Sequence, residues 1–148
     1  KNLKSYDMIP LLLISLTIIA GTFVSGMDAG LVYNNFPYMG DGIIPIEYGN
    51  LGFIDPFENP VTAQFHHRLL ASITLIIIII YSIHYIIKNP MNLRILLLLF
   101  AIVCQFIIGI FTLLYSVPIT LGAMHQFVGV LLFLSALWVL HSPKKNTF

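Results

Sequence analysis

The chain reads as an all-α, polytopic membrane protein: a four-helix antiparallel transmembrane bundle with a long outer loop between helices one and two. Three observations predict this. Hydrophobic residues make up 58% of the 148 positions and charged residues only 9%, against about 25% charged in an average soluble domain. A water-facing surface cannot be covered with so few charges, so a soluble globular enzyme is excluded, and the apolar content excludes a disordered chain. Long uncharged runs recur, at Met8 to Met27, Leu69 to Ile87 and Ile95 to Leu140. The last is too long for one span of about 20 residues. Pro118 divides it, because proline cannot continue a helix without losing a hydrogen bond.

The helices are therefore expected at about 8–27, 61–88, 92–116 and 119–141, within one four-helix unit over residues 1–148. The first is not a cleaved signal peptide: it lacks a short apolar core before a small-residue cleavage site, and three more spans follow. Short connections make sequential helices antiparallel neighbours. Basic residues set the orientation. Lys1, Lys4, Lys88, Arg94, Lys144 and Lys145 fall on one side of an up-down bundle, predicted to be cytoplasmic or matrix. Arg68 alone falls on the other side. The first residue is Lys1 rather than Met, so a fragment, a processed product or one product of a split gene is expected.

The outer segment, about 28–60, is longer than most connections in compact proteins. It carries five of the six acids (Asp28, Asp41, Glu47, Asp55, Glu58) and the aromatics Tyr33, Phe36, Tyr38, Tyr48, Phe53 and Phe57. Disordered segments are poor in aromatics, so an ordered cap is expected; the competing reading is an interfacial aromatic belt. The net charge of +1 gives no reason to expect a nucleic acid partner, and none is expected; lipid is the surrounding medium. The single cysteine, Cys104, excludes an internal disulfide and a cysteine-based zinc site, and reads as a small core residue.

Five histidines are the main chemical signal. His84 and His141 sit near the inner ends and read as interfacial. His67 and His125 each lie about six residues into their helices from the outer end, roughly 9 Å deep at 1.5 Å per residue. An ionisable residue inside a membrane is a functional hypothesis by default. Residues three and four apart share a helix face. His125 shares its face with Gly122, Gly129 and Ala136; His67 shares its face with Ala63, Ala71 and Thr74. Small residues there let helices touch or leave room for a flat ligand. His66 points about 100° away and is the weaker alternative ligand. The bland reading is helix-to-helix hydrogen bonding through small-residue contacts.

Zinc requires three or four ligands, and Cys104 lies too deep to supply one. A haem requires only one or two axial ligands, most often histidine. Its propionates need a cation or donors near the aqueous end, and Arg68 adjoins His67 there. The alternatives for Arg68 are a snorkelling anchor or a pair with Glu58 or Asp55. Gln105, mid-helix, must bond a neighbouring helix or line a pocket, because a buried amide without a partner is costly. Gln126, next to His125, is a further pocket candidate.

The run Gly21-Thr22-Phe23-Val24-Ser25-Gly26-Met27-Asp28-Ala29-Gly30, followed by Tyr33-Asn34-Asn35-Phe36-Pro37-Tyr38-Met39-Gly40, resembles the outer-loop signature of the haem A synthases of mitochondrial and alphaproteobacterial type. Glu58-Asn59-Pro60, Gln64-Phe65-His66-His67-Arg68 and His125-Gln126 are similar to that family's later motifs, in the same order. The resemblance implies oxidation of a haem O methyl group to the formyl group of haem A, through successive hydroxylations, for cytochrome oxidase assembly. It implies eight helices in two similar halves, of which this chain resembles the second. It makes His67 and His125 the axial ligands of a haem b, with the substrate haem O at the absent half, and leaves the catalytic residues unassigned. Alone, such a half is expected to bind haem without completing the reaction. The implied partners are the missing N-terminal half or a second copy of the chain, with haem O synthase or oxidase assembly proteins beyond them. The implied location is a bacterial inner membrane with both termini cytoplasmic, or a mitochondrial inner membrane with termini in the matrix. Two other functions use the same residues: a four-helix membrane cytochrome b for electron transfer, and a haemless assembly scaffold.

Overall fold

The computed structural model describes residues 5–88 and 90–141. Lys1, Lys4, Lys144 and Lys145, on which part of the orientation argument rests, lie outside them. Among the described residues four helices are long and apolar enough to cross a membrane: α1 (Ile9–Gly26), α3 (Pro60–Lys88), α4 (Leu93–Leu114) and α5 (Ile119–Leu140). A short helix, α2 (Asp55–Glu58), precedes α3. Each expected span coincides with one long helix, because hydropathy over some twenty residues is a strong signal.

Local chemistry sets the helix ends. Asn59 accepts the Val61 N–H on Oδ1 at 3.0 Å, as a helix N-cap does. Pro60 then opens α3 at a position where its missing N–H costs nothing. At the other loopless turn, α4 ends before the proline. The N–H groups of Ser116 and Val117 return to the carbonyls of Leu113 (3.0 Å) and Thr112 (2.8 Å), the pattern of a Schellman cap. Ser116 and Val117 hold φ of 58° and 54°. A branched residue in that region is strained by about 1–3 kcal/mol, and the Schellman bonds and Pro118 behind it hold it there.

Helix α1 packs mainly on α3, and α4 on α5, with α3 against α4 and a lighter α1–α5 contact closing the ring. Ile14, Ile78, Leu98, Ile102, Leu132 and Ala136 form the buried core. They come from the start of α1 and α4 and the end of α3 and α5, so they plug the end of the bundle nearer the termini. Leu12, Ile80, Phe100, Phe127 and Leu134 are exposed, as a lipid-facing surface requires.

The segment before α2 folds back onto the bundle. Asn34 donates to the Gly30 and Leu113 carbonyls. Phe36 meets Phe106 edge-on with ring centroids 6.2 Å apart, and Phe57 meets Phe23 edge-on at 5.5 Å. Tyr38 and Phe53 remain exposed, Phe53 at 94%.

The centre of this segment is Asp55, which is 2% exposed. Its carboxylate accepts from the Gly49 and Leu51 N–H groups, both at 2.9 Å, from Asn59 Nδ2 at 3.0 Å and from the Thr62 hydroxyl. Burial works against its charge, but the hydrogen bonds from Thr62, Asn59, Leu51 and Gly49 outweigh burial and hold the carboxyl below the usual range.

Candidate haem site

A cavity of about 400 Å³ lies between the four long helices, above the apolar plug. It falls within the range of cofactor pockets. His67 and Thr74 line it from α3, His125 and Gly129 from α5, Gly21 from α1 and Gly109 from α4; Phe36 reaches it from the loop.

The two histidines meet across this space. Their ring centroids are 6.4 Å apart and their planes cross at 89°. One metal atom between two imidazoles, bonded to each at about 2 Å, sets the ring centres about 6 Å apart. His67 Nδ1 lies 3.1 Å from the Thr17 carbonyl. A carbonyl only accepts, so Nδ1 carries the proton and Nε2 is the nitrogen free to ligate. His125 Nε2 lies 3.4 Å from Gln105 Nε2, while its Nδ1 is buried without a partner.

Glycine makes room for both rings. A Cβ on Gly21 would stand 3.1 Å from His67 Cε1, and one on Gly109 2.9 Å from His125 Cε1. Gly129 gives the same clearance to Gln105, whose Nε2 would lie 3.2 Å from an added Cβ. Neither Gly21 nor Gly109 is legible as a site residue from its own helix. The one available signal is that Gly109 follows Gln105 by four positions, on the same face.

Arg68 sits at the loop end of the cavity. Its guanidinium donates to the backbone carbonyls of Tyr33 at 2.6 Å, Asn35 at 2.9 Å and Tyr38 at 3.3 Å. These bonds go to the loop backbone, not to Glu58 or Asp55, so the ion-pair alternative is replaced by a loop clamp. A guanidinium has five donors, and its Nε is buried without a partner. Gln64, 2% exposed, donates Nε2 to the Tyr33 carbonyl and leaves Oε1 unpartnered.

The other expected residues divide. Gln126 lines the cavity. His66 does not; its Nε2 lies 3.1 Å from the Tyr48 hydroxyl and its ring packs on Tyr48 and Phe65. His84 pairs with Lys88 Nζ at 2.9 Å, and His141 Nδ1 lies 3.0 Å from the Leu137 carbonyl. Cys104 is half-buried and free.

The residues present fit a haem, with two facing imidazoles for its iron and the unpaired donor Arg68 Nε for a propionate. Four polar atoms around the cavity are buried without partners: Gln64 Oε1, Arg68 Nε, Gln105 Oε1 and His125 Nδ1. Buried polar groups without partners are rare and call for an explanation. Among the described residues no group of three His, Cys, Asp or Glu is placed to hold a metal ion. Two histidines alone suit a metal that brings its other ligands with it.

The family model for cytochrome oxidase assembly proteins matches residues 1–137. The chain belongs to that family. Relatives named heme A synthase are similar throughout. That of Wolbachia pipientis wMel is 38% identical over 151 residues, covering 99% of this chain and 41% of the relative. That of Rickettsia prowazekii (strain Madrid E) is 36% identical, covering 93% and 42%. That of Granulibacter bethesdensis is 39% identical, covering 95% and 38%. The chain thus spans about two fifths of the length of these relatives. No solved structure matches it. Family membership and the four helices long enough to cross a membrane together mark the chain as a multi-pass membrane protein of the cytochrome oxidase assembly family.

Proposed function

We propose that this chain is the haem-binding part of a haem A synthase. It holds a haem b between His67 and His125. The observation that carries the reading is the pair of imidazoles 6.4 Å apart across a cavity lined by all four spans. Arg68 Nε, already buried beside the cavity, offers a hydrogen bond and a charge to a propionate. Gln126 and the small residues Gly21, Gly109 and Gly129 shape the walls. His66 takes no part in ligation.

A bound haem supplies one-electron transfer at a potential set by its ligands and their surroundings. A haem held by both His67 and His125 would supply electron relay in preference to oxidant binding. The oxidation of the haem O methyl group then belongs with the remaining three fifths of the protein, as a separate chain or a second copy. The excess of Lys and Arg in the segments at the two chain ends supports a cytoplasmic position for both termini in a bacterial inner membrane, with the loop outside.

Co-expression with a chain covering the remainder of a relative tests the proposal. The expected product is haem A, identified by its formyl group in extracted haem. Haem O accumulating unchanged beside a fully haem-loaded chain contradicts the synthase reading and leaves an electron-transfer cytochrome.

A further inference from the structure

The far nitrogen of His67, Nδ1, meets a backbone carbonyl at 3.1 Å. That carbonyl belongs to Thr17, in the middle of a transmembrane helix. In an α-helix the carbonyl of residue 17 points along the axis at the amide of residue 21. A side chain at position 21 would cover the approach to it. Position 21 is glycine, and the His67 ring fills the space where a Cβ would be: Cε1 at 3.1 Å, Nδ1 at 3.4 Å and Nε2 at 3.8 Å. The Thr17 hydroxyl fixes the same spot by meeting the Thr74 hydroxyl of α3 at 2.8 Å. The two helices are therefore locked in register at Thr74, two turns along α3 from His67.

We infer that Gly21 is a positioning residue for His67: it opens the Thr17 carbonyl to Nδ1 and so presents Nε2 to the cavity. The second partner of a ligating imidazole sets its tautomer and orientation and raises its basicity. Gly109 gives His125 similar clearance, with 2.9 Å to Cε1, and the Gln105 backbone, four positions before Gly109, lies beside that ring, although no closed hydrogen bond reaches its Nδ1. This inference rests on the haem reading only for its consequence; the seat itself is a property of the ligand-free chain.

The test is Gly21→Ala against Gly26→Ala. Both glycines lie in α1, and a Cβ on Gly26 meets nothing within 4 Å. Alanine favours a helix more than glycine does, so any loss in Gly21→Ala runs against the propensity change. The intact chain, labelled with ¹⁵N-imidazole histidine in detergent, is measured without haem by NMR, with His67→Gln assigning the signal. The wild type and Gly26→Ala should show His67 protonated at Nδ1, and Gly21→Ala should lose that signature. A wild-type His67 protonated at Nε2 overturns the inference without recourse to any variant, as does an unchanged signal in Gly21→Ala. Haem titration of the same samples separates the two claims. Loss of a second-layer partner typically weakens metal binding about ten- to a hundredfold, and Gly21→Ala should fall in that range. Equal affinity and an equal low-spin spectrum in Gly21→Ala overturn the positioning role. A wild type that takes up no haem overturns the haem reading, and the NMR result then decides the seat alone.

Discussion

Asp55 shows how one side chain orders a segment that hydropathy leaves blank. From sequence it is one acid among five in a polar stretch. In the structure it gathers two backbone amides, Asn59 and Thr62. All these contacts are between residues close in sequence but in irregular backbone, where no periodicity advertises them. The acid has a defined pH signature. Its folded pKa is depressed, so its contribution to loop stability is fully present above the unfolded value of about 3.9. That contribution is lost as pH falls through the lower folded value. Amide exchange in residues 49–62 should therefore stay slow at pH 4 and quicken only in stronger acid. Asp55→Asn should quicken it at neutral pH as well. Wild-type protection, corrected for the intrinsic exchange rate, that is already lost between pH 7 and pH 5 would contradict the arrangement.

The four spans and their breaks were legible at the scale of elements. Long apolar runs leave a chain few alternatives in a membrane, and the depth and face of His67 and His125 follow from helical geometry. What joins the elements was not legible. Arg68 was expected to serve a cofactor or an acid; it also clamps three carbonyls of the loop, a contact over more than thirty positions. Gly21, the Thr17 carbonyl and Gln64 act only through residues on other elements, so no pattern within one helix reports them. The clamp is testable. Lysine keeps the charge of arginine but not its planar fork. Hydrogen bonds to charged groups contribute about 1.5–3 kcal/mol each. Arg68→Lys should raise the rate of proteolysis within residues 33–47 by at least tenfold while leaving helix content unchanged. Cleavage at the wild-type rate would mean that the loop is held by its aromatic contacts alone.

Across the whole molecule the plan is an apolar plug at one end, a cavity with facing imidazoles in the middle, and an arginine-clamped loop at the other end. Helix association in lipid gains nothing from the hydrophobic effect, so a bundle keeps an internal cavity with unpartnered polar atoms only at a cost. A cofactor that filled the cavity, with a propionate accepting from Arg68 Nε, would remove part of that cost, and ligand binding would stabilise the fold by mass action. The measurement that tests this most directly is a dithionite-reduced minus oxidised spectrum of the purified chain, beside His67→Ala and His125→Ala. Sharp low-spin b-type bands in the wild type, lost in both variants, are the predicted result. A wild type without bands from haem-replete cells, or a variant that keeps the normal spectrum, would contradict the bis-histidine site.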